Sequence, residues 1–291
     1  MTPARVTVVE VGPRDGLQDE AAIVPTATKV RFIEMLAAAG LPVVEATSFV
    51  HPAAVPQLAD ADQVLPAIAR RPGVRYPVLV PNMRGMERAI AAGADAVAVF
   101  TAASEAFSQA NIRMTIAESL EAFSPVLAAA RAAGMWTRGY VSTAFGCPYQ
   151  GEVDPAAVAD VAVALAELGC DQISVGDTIG VAEPDDVGRV LSPLLERVPA
   201  ERLALHLHDT RGRAIDNAEA GLHLGITTFD ASASGLGGCP FAPGAPGNLA
   251  TETLVSWLHG LGIETGVDEP ALLEASAYIR SQLAYGPGSS P

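Results

Sequence analysis

Short runs of β-branched and aromatic residues alternate along the chain with longer stretches rich in alanine and leucine. The short runs predict eight strands, at residues 6–11, 43–49, 76–80, 96–101, 137–143, 172–177, 203–208 and 227–232. The longer stretches show the apolar spacing of amphipathic helices, for example at 28–40, 119–134 and 156–169. A regular alternation of strand and helix predicts a parallel sheet covered by helices.

The number of strand–helix units narrows the fold class. Eight parallel strands are the number that closes an α/β barrel, and a chain of 291 residues suits one such domain. We therefore predict a single (β/α)8 TIM barrel domain over residues 1–291, with the barrel at about 5–265, an extra C-terminal helix at 268–285 and frayed last residues. An open doubly wound sheet is the alternative, but the turn after the first strand reads GPRDGLQ and lacks the GxGxxG pattern.

Composition and charge exclude several classes of partner. The net charge is -15 and the sequence has no basic run, which argues against binding to nucleic acid or to an anionic membrane surface. No apolar stretch is long enough to span a bilayer, and the N-terminus enters a strand pattern with no signal-peptide features, so we expect a cytoplasmic protein. The three cysteines form no CxxC pair, which argues against a disulfide framework.

Polar side chains collect where the predicted strands end. In α/β barrels the chemistry takes place at the C-terminal ends of the strands. In this chain those positions hold Arg14, Asp15, Glu45, Ser142, Asp177, Thr178, His206 and His208. Because only 18% of the residues are charged, such a concentration at strand ends indicates a functional site.

The segment LHLH at 205–208 carries the strongest chemical signal. Residues i and i+2 of a strand face the same side, so His206 and His208 present two imidazoles together at the barrel mouth. They predict a pair of metal ligands; a hydrogen-bonded pair of core histidines is the alternative. Asp15 is the best carboxylate partner, and Asn248 would add an amide oxygen. Two nitrogens and two oxygens suit a divalent cation such as Mg²⁺ or Mn²⁺.

Other residues near the mouth leave two interpretations open. Arg14 either forms a salt bridge at the end of the barrel or holds a carbonyl or enolate oxygen beside the cation. Glu45 and Asp177 either orient ligands or are structural. The glycine- and proline-rich segment 235–248 predicts a mobile loop over the mouth, and its Cys239 is either a general acid or shield for the site or an inert buried thiol.

Six segments in register resemble the 3-hydroxy-3-methylglutaryl-CoA lyase family. They are EVGPRDGLQ (10–18), ATSFVHP (46–52), GCPYQGEVDP (146–155), SVGDTIGVA (174–182), LHLHDTRGRA (205–214) and GLGGCPFAPGAPGNLATE (235–252). The resemblance runs from about residue 5 to about residue 280. It implies a metal-dependent barrel that cleaves 3-hydroxy-3-methylglutaryl-CoA to acetyl-CoA and acetoacetate, as in leucine degradation and ketone-body formation.

The resemblance also implies a role for each matching position. The metal ligands are Asp15, His206, His208 and Asn248. The catalytic residues are Arg14, Asp15, His206 and Cys239, and the substrate-binding residues are Arg14, Gln18, Glu45, Ser142, Asp177 and Thr178. The expected partner is a small acyl-CoA molecule, and we expect a homodimer.

The chain departs from the family pattern at two places near the mouth. Ala21 stands where the family commonly has a lysine, and His51-Pro52-Ala53-Ala54 replaces Ser-Pro-Lys-Trp. The mouth therefore has fewer cationic side chains for the CoA phosphates, with Arg84 as a partial substitute. A lyase for a bulkier 3-hydroxyacyl-CoA is for this reason an alternative. A Claisen-type synthase and a non-catalytic acyl-CoA sensor are further alternatives. A Schiff-base aldolase is disfavoured because the single lysine, Lys29, falls in a predicted helix.

Overall fold

The computed structural model describes residues 3–237 and 247–284. Its strands, in chain order, are β1 (Thr7–Glu10), β2 (Val43–Val44), β3 (Thr47–Ser48), β4 (Val78–Leu79), β5 (Ala96–Ala102), β6 (Trp136–Ser142), β7 (Gln172–Asp177), β8 (Leu203–Leu207) and β9 (Thr228–Ala231). All pairings between them are parallel, in the order β2-β1-β9-β8-β7-β6-β5-β4-β3. Every predicted strand is therefore confirmed.

The predicted strand at 43–49 is divided into β2 and β3 by two residues. β2 pairs with β1 and β3 pairs with β4, so this short segment joins the two ends of the sheet order. The N–H of Glu45 donates to the carbonyl of Glu10 (2.8 Å), and the N–H of Ala46 donates to the carbonyl of Pro77 (2.9 Å). The sheet curls round on itself, and its coarse architecture is that of a TIM-type α/β barrel.

Helices follow the strands and cover the sheet. They are α1 (Thr26–Ala38), α2 (Ala61–Ala67), α3 (Met83–Ala91), α4 (Glu105–Ile112), α5 (Ile116–Ala132), α6 (Pro155–Leu168), α7 (Pro184–Leu195), α8 (Ala214–His223), α9 (Thr251–Gly260) and α10 (Glu269–Ala284). The added C-terminal helix is present as α10, which packs against α1. Among the described residues, no helix combines the length and the apolarity needed to cross a membrane.

Glycines end several of these helices, as the sequence predicts. Gly40 follows α1 with a φ of 94°, a left-handed conformation that favours glycine. A Cβ at this position would lie 2.2 Å from the carbonyl oxygen of Gly266, so the residue also permits a close backbone approach. The predicted frayed end after residue 284 and residues 238–246 of the predicted mouth loop, Cys239 included, lie outside the described residues.

Candidate active site

Three potential metal ligands meet at the C-terminal end of the sheet. His206 lies on β8, His208 follows that strand by one residue, and their ring centroids are 5.3 Å apart. Asp15 is held on the tight helical turn Gly12–Gly16 that follows β1. One potential ligand atom from each of the three residues lies within 4.8 Å of the others. The predicted proximity of the imidazole pair to Asp15 is confirmed.

The protonation states of these groups suit a cation. Burial alone would raise the pKa of the Asp15 carboxyl, but the charges of Arg14 and His206 hold that pKa well below its usual range. Burial, helped by the charge of His206, lowers the pKa of His208 to about 3, which keeps its imidazole neutral. His208 Nδ1 is buried and has no hydrogen-bond partner among the described residues. Asp15 as a carboxylate and His208 as a neutral imidazole are donors that divalent first-row ions accept. Burial lowers the pKa of His206, but the hydrogen bond to Asp230 and the charge of Asp15 outweigh it and raise that pKa, so a cation bound by His206 would displace a proton from its imidazole.

Asn248 lies directly against this group of ligands. Its side-chain amide donates to Asp15 Oδ2 (2.9 Å) and to the carbonyl of Leu236 (3.0 Å), and its backbone forms a β-bridge with His208. The structure thus brings Asn248 to the place where the sequence predicts it. Its amide oxygen as a fourth ligand stays a prediction.

Arg14 is buried beside the potential ligands, with 6% of its surface exposed. Its Nη1 donates to Asp15 Oδ1 (2.5 Å), its Nη2 forms an ion pair with Glu45 Oε2 (2.8 Å), and the guanidinium lies 5.4 Å from the centroid of the Tyr140 ring. The salt bridge considered for Arg14 is therefore present. A guanidinium has five N–H donors, so the ion pairs fix its position and leave donors for another oxygen.

The ion pairs of Arg14 continue across the barrel. The hydroxyl of Tyr140 donates to Glu45 Oε2 (2.9 Å) and accepts from Arg138 Nη1 (2.9 Å). Arg138 Nη2 donates to Asp230 Oδ1 (2.5 Å), and Asp230 Oδ2 lies 3.3 Å from His206 Nδ1. We call these residues the rim network: Asp15, Arg14, Glu45, Tyr140, Arg138, Asp230 and His206. Nε2 of His206 lies 3.9 Å from Asp15 Oδ2, so the contacts of the rim network form a closed ring that begins and ends at Asp15.

Sequence reasoning missed three of the buried charges near the site. Arg138 and Asp230 lie within β6 and β9 and are 0% and 1% exposed, and Glu10 ends β1 with no exposure. A signal was available in each case, namely a charged residue inside a strand that the pattern predicts to be buried. Such a charge is costly unless it is paired, so it points to a partner on another strand.

The other predicted site residues have structural partners. Both carboxylate oxygens of Asp177 accept backbone N–H groups, from Val181 and Ala182 (3.0 Å each), and Thr178 Oγ1 accepts the N–H of Thr143 (2.8 Å). These bonds hold the connections after β6 and β7 in place. Ser142 ends β6 and Gln18 lies on the connection between β1 and α1, both half-buried. Substrate contacts of these residues stay predictions.

A parallel barrel with two imidazoles and a carboxylate grouped at the C-terminal strand ends has the architecture of barrel enzymes, and the three side chains are placed so that they could hold a metal ion. A family model described as HMGL-like matches residues 5–279. The chain is 56% identical to the bovine mitochondrial hydroxymethylglutaryl-CoA lyase over 95% of this chain and 85% of that protein. The chain therefore belongs to the hydroxymethylglutaryl-CoA lyase family.

Solved structures agree with this assignment. The HMG-CoA lyase from Brucella melitensis superposes with a TM-score of 0.94 at 52% identity, covering 96% of this chain and 99% of that one. An HMG-CoA lyase from Acinetobacter baumannii, in complex with coenzyme A and 3-methylmalate, has a TM-score of 0.92 at 38% identity, covering 100% and 95% of the two chains.

Proposed function

We propose that this protein is a divalent-metal-dependent lyase that cleaves 3-hydroxy-3-methylglutaryl-CoA to acetyl-CoA and acetoacetate. The observation that carries the proposal is the grouping of Asp15, His206 and His208 within 4.8 Å of one another, directly beside the buried Arg14. The cleavage follows from membership of a lyase family whose bovine and Brucella members are 56% and 52% identical to this chain over most of its length. The coenzyme A bound by the Acinetobacter relative supports an acyl-CoA substrate.

Asp15, His206 and His208 would hold the cation, with the amide oxygen of Asn248 as a fourth ligand. We expect Mg²⁺ or Mn²⁺, because the set contains no thiolate and combines oxygens with imidazoles. When bound, the ion supplies Lewis acidity to the oxygens of the substrate. In the structure Asn248 Nδ2 donates to Asp15 Oδ2 (2.9 Å), which leaves the amide oxygen as the atom of this side chain that is suited to a cation.

The reaction needs one proton removed, one carbon–carbon bond broken and one proton returned. The proton leaves the tertiary hydroxyl to a base at the strand ends, Asp15 or His206, as the bond breaks with its electron pair on the thioester side. Arg14, fixed between Asp15 and Glu45, donates to the thioester oxygen, where negative charge develops. Cys239 returns a proton to the carbon; its motif alone supports this role.

Several finer assignments complete the proposal. Gln18, Glu45, Ser142, Asp177 and Thr178 contact the acyl group, and Glu45 Oε1, which is buried with no partner among the described residues, is the oxygen best suited to a substrate hydroxyl. The architecture is a single closed (β/α)8 barrel with one added helix. A homodimer and a cytoplasmic location are also proposed; sedimentation and cell fractionation test them.

An assay with and without EDTA tests the function directly. We expect acetyl-CoA release from 3-hydroxy-3-methylglutaryl-CoA that stops with EDTA and returns with Mg²⁺ or Mn²⁺. A parallel reaction containing acetyl-CoA and 2-oxoacids would detect a synthase, and a panel of bulkier 3-hydroxyacyl-CoA analogues would detect a different acyl preference. Binding of the CoA ester without turnover under any divalent ion would contradict the proposal and favour a sensor.

A further inference from the structure

We propose that Glu10 is a positioning residue for the metal centre, because its buried carboxylate ties the turn that carries Asp15 to the connection that carries Asn248. This inference rests on the proposed metal-dependent function and assigns a role to a residue outside the ligand set. Glu10 is the last residue of β1 and has no exposed surface. Neighbouring residues of a strand face opposite sides, so Glu10 points away from Val9, which packs inside the barrel with Val11 and Val43.

The carboxylate of Glu10 accepts hydrogen bonds from three separate segments. Its Oε1 accepts the N–H of Gly12 (2.7 Å) and the N–H of Ala233 (2.9 Å), and its Oε2 accepts the hydroxyl of Thr251 (2.7 Å). Gly12 begins the turn of Asp15, Ala233 follows β9, and Thr251 begins α9 three residues after Asn248. One side chain therefore joins both of the loops that supply oxygen ligands.

The same two loops pack closely through glycines. A Cβ on Gly16 would lie 2.7 Å from Leu236 Cβ, and a Cβ on Gly237 would lie 2.6 Å from Asn248 Nδ2 and 3.1 Å from Gly16 Cα. This close approach places the Asn248 amide 2.9 Å from Asp15 Oδ2. Contact alone allows the loops to slide, whereas directional hydrogen bonds to one buried carboxylate fix their relative position.

The three hydrogen bonds depend on the oxygen atoms of the Glu10 carboxyl group and not on its charge. Burial, with a smaller contribution from the charge of Glu252, raises the pKa of Glu10 to about 7 in spite of the bonds from Ala233 and Thr251. A protonated carboxyl still offers one oxygen to the two N–H groups, while its O–H donates to the Thr251 hydroxyl. Both protonation states therefore keep the loops joined.

Two substitutions of Glu10 differ in the hydrogen bonds that they retain. In Glu10→Gln, the amide oxygen accepts from Gly12 and Ala233 and the amide N–H donates to Thr251, so all three ties remain. In Glu10→Ala, all three are lost and two buried N–H groups have no acceptor. Partners that orient metal ligands typically change metal affinity by about 10–100-fold when they are removed.

The test is Mn²⁺ affinity, measured by titration calorimetry on the full chain, with the melting temperature recorded for every variant. We expect Glu10→Gln to bind Mn²⁺ within about threefold of the wild type and Glu10→Ala to bind at least about tenfold more weakly. The control is Asp171→Ala. Asp171 accepts the N–H (2.8 Å) and the hydroxyl (3.0 Å) of Thr137 just before β7, at the opposite end of the barrel, and its loss should leave Mn²⁺ affinity unchanged.

Thr251→Val is a second variant, for the case that Glu10→Ala does not fold. It removes one of the three hydrogen bonds, and we expect Mn²⁺ binding to weaken by more than about threefold, outside the range expected for Glu10→Gln. Wild-type Mn²⁺ affinity in folded Glu10→Ala, or in Thr251→Val where the alanine variant is unfolded, would overturn the positioning role. A wild-type protein that binds Mn²⁺ but leaves the CoA ester intact would contradict the proposed function alone, because the affinity comparison would still decide the role of Glu10.

Discussion

Two buried ion pairs in this molecule have similar geometry and different surroundings. Arg138 and Asp230 contact at 2.5 Å in the barrel interior, where both side chains are fully buried. Lys29 and Asp60 contact at 2.6 Å on the helical layer, with Lys29 2% exposed and the Asp60 side chain 18% exposed. Burial and ion pairing alone would rank the two pairs together.

The difference lies in what each pair touches next. Asp230 contacts His206 directly. Arg138 is connected to Arg14 through hydrogen bonds and an ion pair that involve Tyr140 and Glu45, so this pair is linked to the potential metal ligands at both ends. Lys29 and Asp60 are bonded instead to the carbonyl of Gln57 and to the Thr26 hydroxyl, which join α1 to the segment before α2. A buried ion pair therefore marks a fixed geometry, and only its connection to reactive groups indicates function.

The largest effect is expected for His206→Ala, which removes a ligand from the group itself. Both Mn²⁺ affinity and rate should fall, the rate by about 10³-fold or more, since a bound ion contributes several kcal/mol to such a reaction. Metal content by mass spectrometry and kcat are the measurements. A variant that retains its full complement of Mn²⁺ would contradict the assignment of the centre.

Arg14→Met should lower kcat by about 10²–10³-fold, as loss of a donor to a developing oxyanion does. Mn²⁺ affinity should stay within about threefold, because Asp15, His206 and His208 remain. Steady-state kinetics and calorimetry on the same preparation separate the two effects. A near-normal kcat would show that the ion pairs of Arg14 with Asp15 and Glu45 are only structural.

Asp230→Asn tests the Arg138–Asp230 ion pair, whose carboxylate lies beside the potential ligand His206. The amide cannot accept from Arg138, Ser174 and His206 together as the carboxylate does, so we expect Mn²⁺ affinity to fall by about 10–100-fold. Ser174→Ala is the matched control, because Ser174 donates to Asp230 Oδ2 (2.8 Å) and is connected to His206 through Asp230. Equal Mn²⁺ affinity in both variants would remove the link between Asp230 and the metal centre.

Local features of this chain were predictable from its sequence, whereas contacts between distant segments were not. The strands and the HxH pair were predictable because they depend on local periodicity, and β7 is found at the predicted residues 172–177. The break of the second strand at Glu45 was not, because it depends on two different neighbouring strands pairing on either side. Arg138 and Asp230 are 92 residues apart, and no local pattern indicates which buried charges meet across a closed barrel.

Lys29→Met should have the smallest effect on catalysis and a clear effect on stability. Removal of one partner from a fully buried ion pair costs about 3–5 kcal/mol, and because Asp60 keeps some contact with solvent we expect about 2 kcal/mol. The kcat of the folded enzyme should stay within about twofold, since among the described residues Lys29 bonds to Gln57 and Asp60 and not to the rim network. Denaturant unfolding and kinetics measure the two quantities, and Lys29→Met with Asp60→Asn should recover part of the stability, because the unpaired carboxylate is then gone. A large fall in the kcat of Lys29→Met at normal Mn²⁺ affinity would show that the Lys29–Asp60 pair acts on the active site through the segment before α2. Connection to the potential ligands would then not be what distinguishes the Arg138–Asp230 pair from it.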